Sequence, residues 1–579
     1  MHLVKKVIKG SDYYYLVEKR RDGKRVRTSR TVYIGGWKKL AELVQGQIAG
    51  AFPTSFSAQE VGGSLALVDV ACDLGIEELI DEICPVRSGS TPIGRQILLM
   101  AVHRALSPRW ANSKKNLEEV YAGSALAELL PLPEKAVDNR RLDETLSSLT
   151  TRQIERIEGA VVERLIEREA IRLDLLAFDT TNFDSYAAAS TESRLLKRGH
   201  GKSGRPLRVL GLGLLVTEDD GLPLLTFTYP GNENDVTAFA RFLSSLDRRQ
   251  PRLKLPADAT IVADGGNISK EVLKRLEDRP RHYVLRLPAK HASGLARPAS
   301  LELPELGGRL KGKVRASKQH CLVYGAKRYV VDVYSHRMHH RQLPGLRRDR
   351  DKARSDLQHL QRQLEKQRQG KRHAEPITSV SLRQRVAKAL AREHMTELFL
   401  VTIGASEETP MLSFDEPPAA WEHLQTHVLG RTLLVSDRGD WSAERIVEAS
   451  RQQADNERFF RDAKAPEGAS MLPLRHRGDA ALRANALCVV LGLALTKVLQ
   501  RRLRLAGVKT ASASSLLRSL RRVKRARLKL PDGAPPALRA FAKAAWVPSE
   551  RTARQADILG ALKLDKRPEL GATLFSAKA

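Results

Sequence analysis

Two aspartates end apolar runs in this chain. Leu173 to Phe178 is apolar at five of six positions and stops on Asp179, and "TIVAD" stops on Asp264 in the same way. A third acid, Glu457, falls on one helical stripe with Ile446, Ser450, Gln453, Arg461 and Lys464, which recur at steps of three and four. A carboxylate delivered by a buried strand is costly unless it is paired or holds a metal. Taken singly, each acid has an ordinary role: an Asp after a strand caps a turn or a helix, and Glu457 pairs with Arg461 one turn on. Two Asp from neighbouring strand ends and a Glu from a helix packed on them form, together, a hard all-oxygen site suited to Mg²⁺ or Mn²⁺. Two such ions, about 3.5 to 4 Å apart, stabilise the attacking and leaving oxygens of an in-line phosphodiester displacement.

Composition agrees with a phosphate-bearing partner. The 579 residues carry 98 Lys+Arg against 67 Asp+Glu, a formal charge of +31, which attracts the chain to nucleic-acid backbones whatever their sequence. With 42% hydrophobic residues the chain holds too much core for a basic tail and fits several domains. Cys72, Cys84, Cys321 and Cys488 show no C-x-x-C pairing, which argues against a zinc ribbon or a disulfide framework and favours the reducing cytosol. The start has no apolar signal core. The most apolar window, "ALCVVLGLAL" at 486 to 495, is half the length of a membrane span and reads as a buried helix.

The elements that must position the acids follow from periodicity. Asp22-Gly23 lies between two β-rich runs and predicts an N-terminal hairpin, whose cations from Lys19 to Arg30 suit a phosphate backbone or an exposed surface equally well. Helical spacing holds from Ser57 to about Arg168, broken at Pro85, Pro92, Pro108 and Pro131 to Pro133. Then come "IRLDLLAFD", a hairpin around Asp219-Asp220-Gly221, the helix "DVTAFARFLSSL", the strand "ATIVAD", the helix "SKEVLKRLED" and the strand "RHYVLRLP". That succession, β, β, β, α, β, α, β, is the order of an RNase H-like domain. A β-rich stretch from about Ala289 to Gly430 interrupts it and includes a long polar helix with a seam of Leu346, Ala353, Leu357, Leu360 and Leu364. The core resumes with the strand "RTLLVSD" and the helix "SAERIVEASRQQADNERFFRDAK".

On these motifs the sequence resembles the bacterial insertion-sequence DDE transposases whose third acid lies in a Tyr-x2-Arg-x3-Glu-x6-Lys signature. "YYYLVEKRRDGKRV" is similar to that group's N-terminal hairpin, "FDTTNF" to its first-acid motif, "VADGGNIS" to its second, and the spacing from Glu457 to Lys464 to its third. The segment from "RGHGKSGRPLRV" to "GNENDVTAF" is similar to its hairpin and helix. The resemblance implies that Asp179, Asp264 and Glu457 hold two Mg²⁺ or Mn²⁺ ions. One ion activates water and then the 3′-hydroxyl, the other stabilises the departing oxygen, and Lys464 touches phosphate near the scissile bond. It also implies double-stranded DNA as partner, both transposon ends and target, a homodimer in a synaptic complex, and a place in the cytoplasm at the bacterial nucleoid. Ser450 stands where the signature has Tyr, and Gln453 where it has Arg; Arg451 and Arg461 are the nearby substitutes.

Other basic segments are read alongside. "GHGKSG" at 199 to 204 lacks the first Gly of a phosphate loop and reads as a basic loop in which Lys202 and Arg205 meet DNA. "SHRMHH" at 335 to 340 has no acid or Cys at ligand spacing and reads as a solvated basic arm. "RSLRRVKRARLKL", with seven cations from Arg518 to Lys529, reads as a backbone clamp through Arg521, Arg522, Lys524 and Arg525, or else as a solvated helix face.

The expected architecture is a multidomain α/β chain: an N-terminal hairpin region (1–50), a helical DNA-binding region (54–168), an RNase H-like core in two parts (169–288 and 431–500), a β-rich insertion with a long helix (289–430) and a basic C-terminal region (501–579). The expected function is cut-and-paste transposition. A catalytically degenerate DNA-binding derivative and a hydrolytic nuclease with the same core are the alternatives, and Glu444 and Glu448 are next in line should Glu457 not be the third acid.

Overall fold

The computed structural model describes residues 2–8, 11–22, 25–38, 55–107, 116–188, 190–199, 207–218, 220–370, 376–404, 410–451, 460–461, 471–472, 474–476, 478–510, 512–529 and 546–570. The chain divides into two compact units, one of residues 1–173, 179–255 and 454–579, the other of residues 174–178 and 256–453.

In the first unit the N-terminal hairpin is present, Ser11–Asp22 against Arg25–Gly36, closing on the pair Asp22 and Arg25. His2–Ile8 adds a third antiparallel strand that the turn signal alone did not announce. A helical assembly follows, and its centre is the helix Asp479–Leu505, which contains the apolar window. That helix is long and apolar enough to cross a membrane, yet 89% of its most apolar stretch is buried inside the unit. Its Gly492 lets the helix Ile93–Leu106 approach closely, since a Cβ there would meet the Ala101 carbonyl oxygen at 2.4 Å. Buried Arg104 donates to Asn485 Oδ1 at 2.8 Å across the same contact.

The later half of the strand Leu175–Ser185 belongs to this unit, beside Arg208–Thr217, which pairs antiparallel with Pro223–Pro230. The turn between those two has positive φ at Asp220 (66°) and Gly221 (59°), the left-handed pair that a tight hairpin requires. Helix Thr151–Glu169 is fastened to helix Asp235–Leu253 by a buried ion pair, Glu158 with Arg249 at 2.5 Å, side chains 5% and 8% exposed. Glu158 also accepts from the Thr226 amide at 3.1 Å.

The second unit is built on a mixed sheet. Leu175 to Phe178 pairs parallel with Thr260–Ala263, and Thr260–Ala263 pairs parallel with His282–Leu287. Arg431–Ser436 returns antiparallel beside His282–Leu287, followed by Ala326–Ser335, Val314–Val323 and the short Ala292–Ser293. The return strand is locked at its end. Ser436 Oγ donates to the Tyr283 carbonyl at 2.6 Å, Asp437 accepts from the Tyr283 amide at 2.9 Å, and Arg438 donates to Thr260 Oγ1 at 3.1 Å. Between the outgoing and return strands, helix His336–Arg368 buries Leu346, Ala353, Leu357, Leu360 and Leu364, the seam read from the sequence, against Leu382, Val386, Met395, Leu398 and Phe399.

The helix expected over "SAERIVEASRQQADNERFFRDAK" does not run unbroken: Ala443–Ser450 ends with Arg451 as its C-terminal cap, whose backbone amide bonds back into the last turn, so the stripe read from Ile446 is interrupted after Ser450; residues 452–459 lie outside the described set. The basic segment near the C-terminus is not one helix. Helix Ala513–Arg521 stops, and Lys524–Lys529 becomes a strand paired antiparallel with Ser55–Glu60. "SHRMHH" is not a free arm either: it opens helix His336–Arg368, and Tyr334 meets the rings of His336 and His339 edge-on at 4.9 and 5.8 Å.

The pair Glu158 and Arg249 gives a test of the first unit. Arg249→Leu leaves a buried carboxylate without its cation, so unfolding by denaturant should show a loss of about 3 to 5 kcal/mol. A loss below about 1 kcal/mol would mean that the pair does not hold the two helices together.

Candidate active site

Sheet register sets where the acids stand. Phe178 is partnered with Ala263, and Ala263 with Leu285, across three neighbouring parallel strands. The residues that follow those three are Asp179, Asp264 and Arg286. Successive strand side chains alternate between faces, so within the second unit Asp264 and Arg286 leave their strands on the face opposite to that of Ala263 and Leu285. The preceding residues are apolar and almost wholly buried, with Leu176, Phe178, Val262 and Leu285 at 0 to 1% exposure. Burial of that layer is what sets the height at which the carboxylates emerge.

Asp179 accepts from the Thr180 amide at 2.7 Å, and Thr180 Oγ1 donates to Asp235 Oδ1 at 2.9 Å. Asp235 opens helix Asp235–Leu253, whose N-cap, Asn234, accepts from the Thr237 amide at 2.9 Å. Tyr229 belongs to the same neighbourhood: burial pushes its hydroxyl well above the ordinary tyrosine value, Thr180 opposes that shift, and the charges of Asp235, Asp179 and Glu233 add to it. Glu233 is paired with Arg241 at 2.5 Å. Asp235 and Tyr229 escaped the reading from sequence; the available signal was the segment "TYPGNENDV" itself, which carries both to one hairpin end.

Asp264 caps the single turn that follows it, accepting from the Gly265 amide at 2.7 Å. Arg286 Nη1 stands 3.8 Å from Asp264 Oδ1, with both side chains about half exposed. The two line a recess of about 470 Å³ together with Gly265, Gly266, Arg297 and Arg431. Arg297 and Arg431 are already committed, since both pair with Asp332, which is fully buried.

Glu457, Gln453 and Lys464, and likewise Lys202 and Arg205, lie outside the described residues. Arg461 is exposed, next to buried Phe460. Arg451 is exposed at its helix end, with Glu448 and Arg337 as neighbouring charges. Ser450 turns its hydroxyl back to the Val447 carbonyl at 2.8 Å. Glu444 packs its carboxylate over Gly307 and Gly308, where no side chain obstructs it.

The basic cluster near the C-terminus needs a correction. Arg525 is 1% exposed, donates to Glu128 at 2.6 Å and stacks on Trp546 at 4.1 Å, so it is part of the first unit's interior and has no face for DNA. Arg521 is half-buried and donates to the Leu106 carbonyl at 2.7 Å. Arg522 and Lys524 are exposed. The alternation of a strand explains the split, because Lys524 and Arg525 point to opposite sides.

A family profile, the transposase DDE domain, matches residues 180–494. The match begins one residue after Asp179 and contains both Asp264 and Glu457. No curated protein matches the sequence significantly. Among solved structures, the cryo-EM structure of a piggyBac transposase synaptic complex with hairpin DNA is similar at a TM-score of 0.34 and 9% identity, over 79% of each chain. With more than half of its length matched, the chain belongs to the transposase DDE-domain family.

Proposed function

We propose that this protein is a DNA transposase that moves a bacterial insertion sequence by cutting at its ends and joining them to target DNA, on an RNase H-like core with a β-rich insertion. The observation that carries this reading is the register of the three parallel strands, which makes Asp179 and Asp264 the residues next after a matched pair, Phe178 and Ala263. Strand succession supports the core: Leu175–Ser185, the hairpin Arg208–Thr217 and Pro223–Pro230, helix Asp235–Leu253, Thr260–Ala263, helix Lys270–Glu277 and His282–Leu287.

The donor chemistry fits a hard divalent cation. Asp179 and Asp264 offer carboxylate oxygens, and the half-exposed Asp264 carboxylate already has a cation, Arg286, beside it. Among the described residues no three His, Cys, Asp or Glu gather as a ready shell, and the third acid of this reading, Glu457, is outside them. Asp179, Asp264 and Glu457 would hold Mg²⁺ or Mn²⁺. Bound there, such ions supply Lewis-acid activation of the attacking oxygen and charge stabilisation of the leaving one. The chain's own part is positional: Thr180 ties the first-acid strand to Asp235, the Gly265 turn orients Asp264, and exposed cations such as Arg461, Arg522 and Lys524 attract the backbone. Lys464, Arg451, Lys202 and Arg205 belong to the same proposed DNA surface, and a homodimeric synaptic complex in the bacterial cytoplasm belongs to the same reading.

Cleavage of a supercoiled donor carrying the element's ends should require Mg²⁺ or Mn²⁺. Asp179→Asn, Asp264→Asn and Glu457→Gln should each lower cutting by a factor of about 100 or more while end binding persists, since a metal-bound transition state loses several kcal/mol with its ligand. Undiminished cutting by any one variant removes that residue from the site.

Salt dependence separates the two kinds of cation in the C-terminal segment. Replacing exposed Arg522 and Lys524 with Gln should reduce the log–log salt slope of end binding by about 1.8, two phosphates at about 0.9 each. Arg525→Gln should lower thermal stability and leave the slope unchanged, because that guanidinium is buried against Glu128. The reverse pattern would restore Arg525 to the DNA surface.

A further inference from the structure

Among the described residues of the second unit, Arg286 is the cation that stands beside Asp264. It leaves its strand at the same level as Asp264, one strand over, because Leu285 is the parallel partner of Ala263. Among the described residues Asp264 is the one carboxylate within 4 Å of its guanidinium. The other two arginines of the recess are held by buried Asp332, Arg431 at 1% side-chain exposure and Arg297 at 3.2 Å. Arg286 is thus the recess cation with freedom to exchange partners, and its 55% exposure opens it to solvent.

An ion pair at 3.8 Å between half-exposed groups is weak and screened. It is too weak to keep a divalent cation out. A guanidinium and a divalent cation on one carboxylate repel each other, so a metal arriving at Asp264 weakens its hold on Arg286 and favours release. The displaced fork then lies at the mouth of the recess, where a backbone phosphate is its natural bidentate partner.

We infer that Arg286 is a positioning residue that holds the Asp264 carboxylate in the free protein and passes to a DNA phosphate when a divalent cation takes that carboxylate. Metal loading and DNA binding are then positively coupled through one side chain, and by linkage each strengthens the other. The inference rests on Asp264 being a metal ligand, as proposed above. It predicts that the protein holds its metal less tightly away from DNA than on it.

The test is Mn²⁺ binding, read as free Mn²⁺ by electron paramagnetic resonance on the full-length, metal-free protein, with and without a short duplex whose own Mn²⁺ uptake is titrated in parallel. Without DNA, Arg286→Gln should bind Mn²⁺ about three to five times more tightly than the parent, the size expected for losing one exposed ion-pair competitor. Arg286→Lys keeps the charge and should stay within about twofold of the parent. Adding duplex should tighten Mn²⁺ binding in the parent by a larger factor than in Arg286→Gln. Equal or weaker Mn²⁺ binding by Arg286→Gln, or an equal gain from duplex in both proteins, overturns the inference. Asp264→Asn with unchanged Mn²⁺ binding would instead overturn the metal-ligand reading beneath it. Circular dichroism confirms that each variant is folded.

Discussion

Parallel pairing of three short strands governs the rest of this structure. Phe178, Ala263 and Leu285 share one level of the sheet, and the chain turns polar at the next residue of each strand. A slip of one residue in either pairing would exchange the faces of a whole strand, sending Asp179 or Asp264 into the apolar layer. The cost of burying an unpaired carboxylate there makes the register self-enforcing. Everything attached to the strands serves that alignment: Ser436, Asp437 and Arg438 bind the ends of the neighbouring strands through Tyr283 and Thr260, and Thr180 reaches across to Asp235.

Charge in this protein has two distinct uses, which the overall balance of +31 conceals. Some arginines are interior fasteners. Arg431 and Arg297 neutralise Asp332, Arg249 neutralises Glu158, Arg525 neutralises Glu128, and Arg501 holds Asp220 in the hairpin turn. Removal of one partner strands a buried charge, so these residues govern stability. Arg522, Lys524 and Arg461 keep solvent exposure, and in the proposed function they are the cations that attract phosphate from a distance. Arg286 belongs to neither group, since it is half exposed and its one carboxylate partner among the described residues is Asp264.

Local patterns in the sequence were sufficient wherever a local cause operates. Apolar runs ending on Asp179 and Asp264, the hairpin at Asp220-Gly221, and the seam from Leu346 to Leu364 are all consequences of periodicity or turn chemistry within a short window. What stayed hidden depends on partners distant in the chain. Seven cations from Arg518 to Lys529 look uniform until the strand Ser55–Glu60 pairs with part of them and Glu128 captures Arg525. The ties of Asp179's neighbourhood to Asp235 and of Asp264 to Arg286 likewise need the fold, because each joins residues from different elements. The third N-terminal strand, His2–Ile8, had no turn signal as strong as Asp22-Gly23 to mark it.

A shared metal site at the two strand ends is the central claim, and anomalous scattering tests it without any assay of activity. Crystals of the full-length protein soaked in Mn²⁺ should show an anomalous peak within about 2.5 Å of carboxylate oxygens from both Asp179 and Asp264, a normal coordination distance for a hard cation. A peak bound to one of the two alone, or Mn²⁺ located only at other carboxylates such as Glu444 or Asp437, would contradict it.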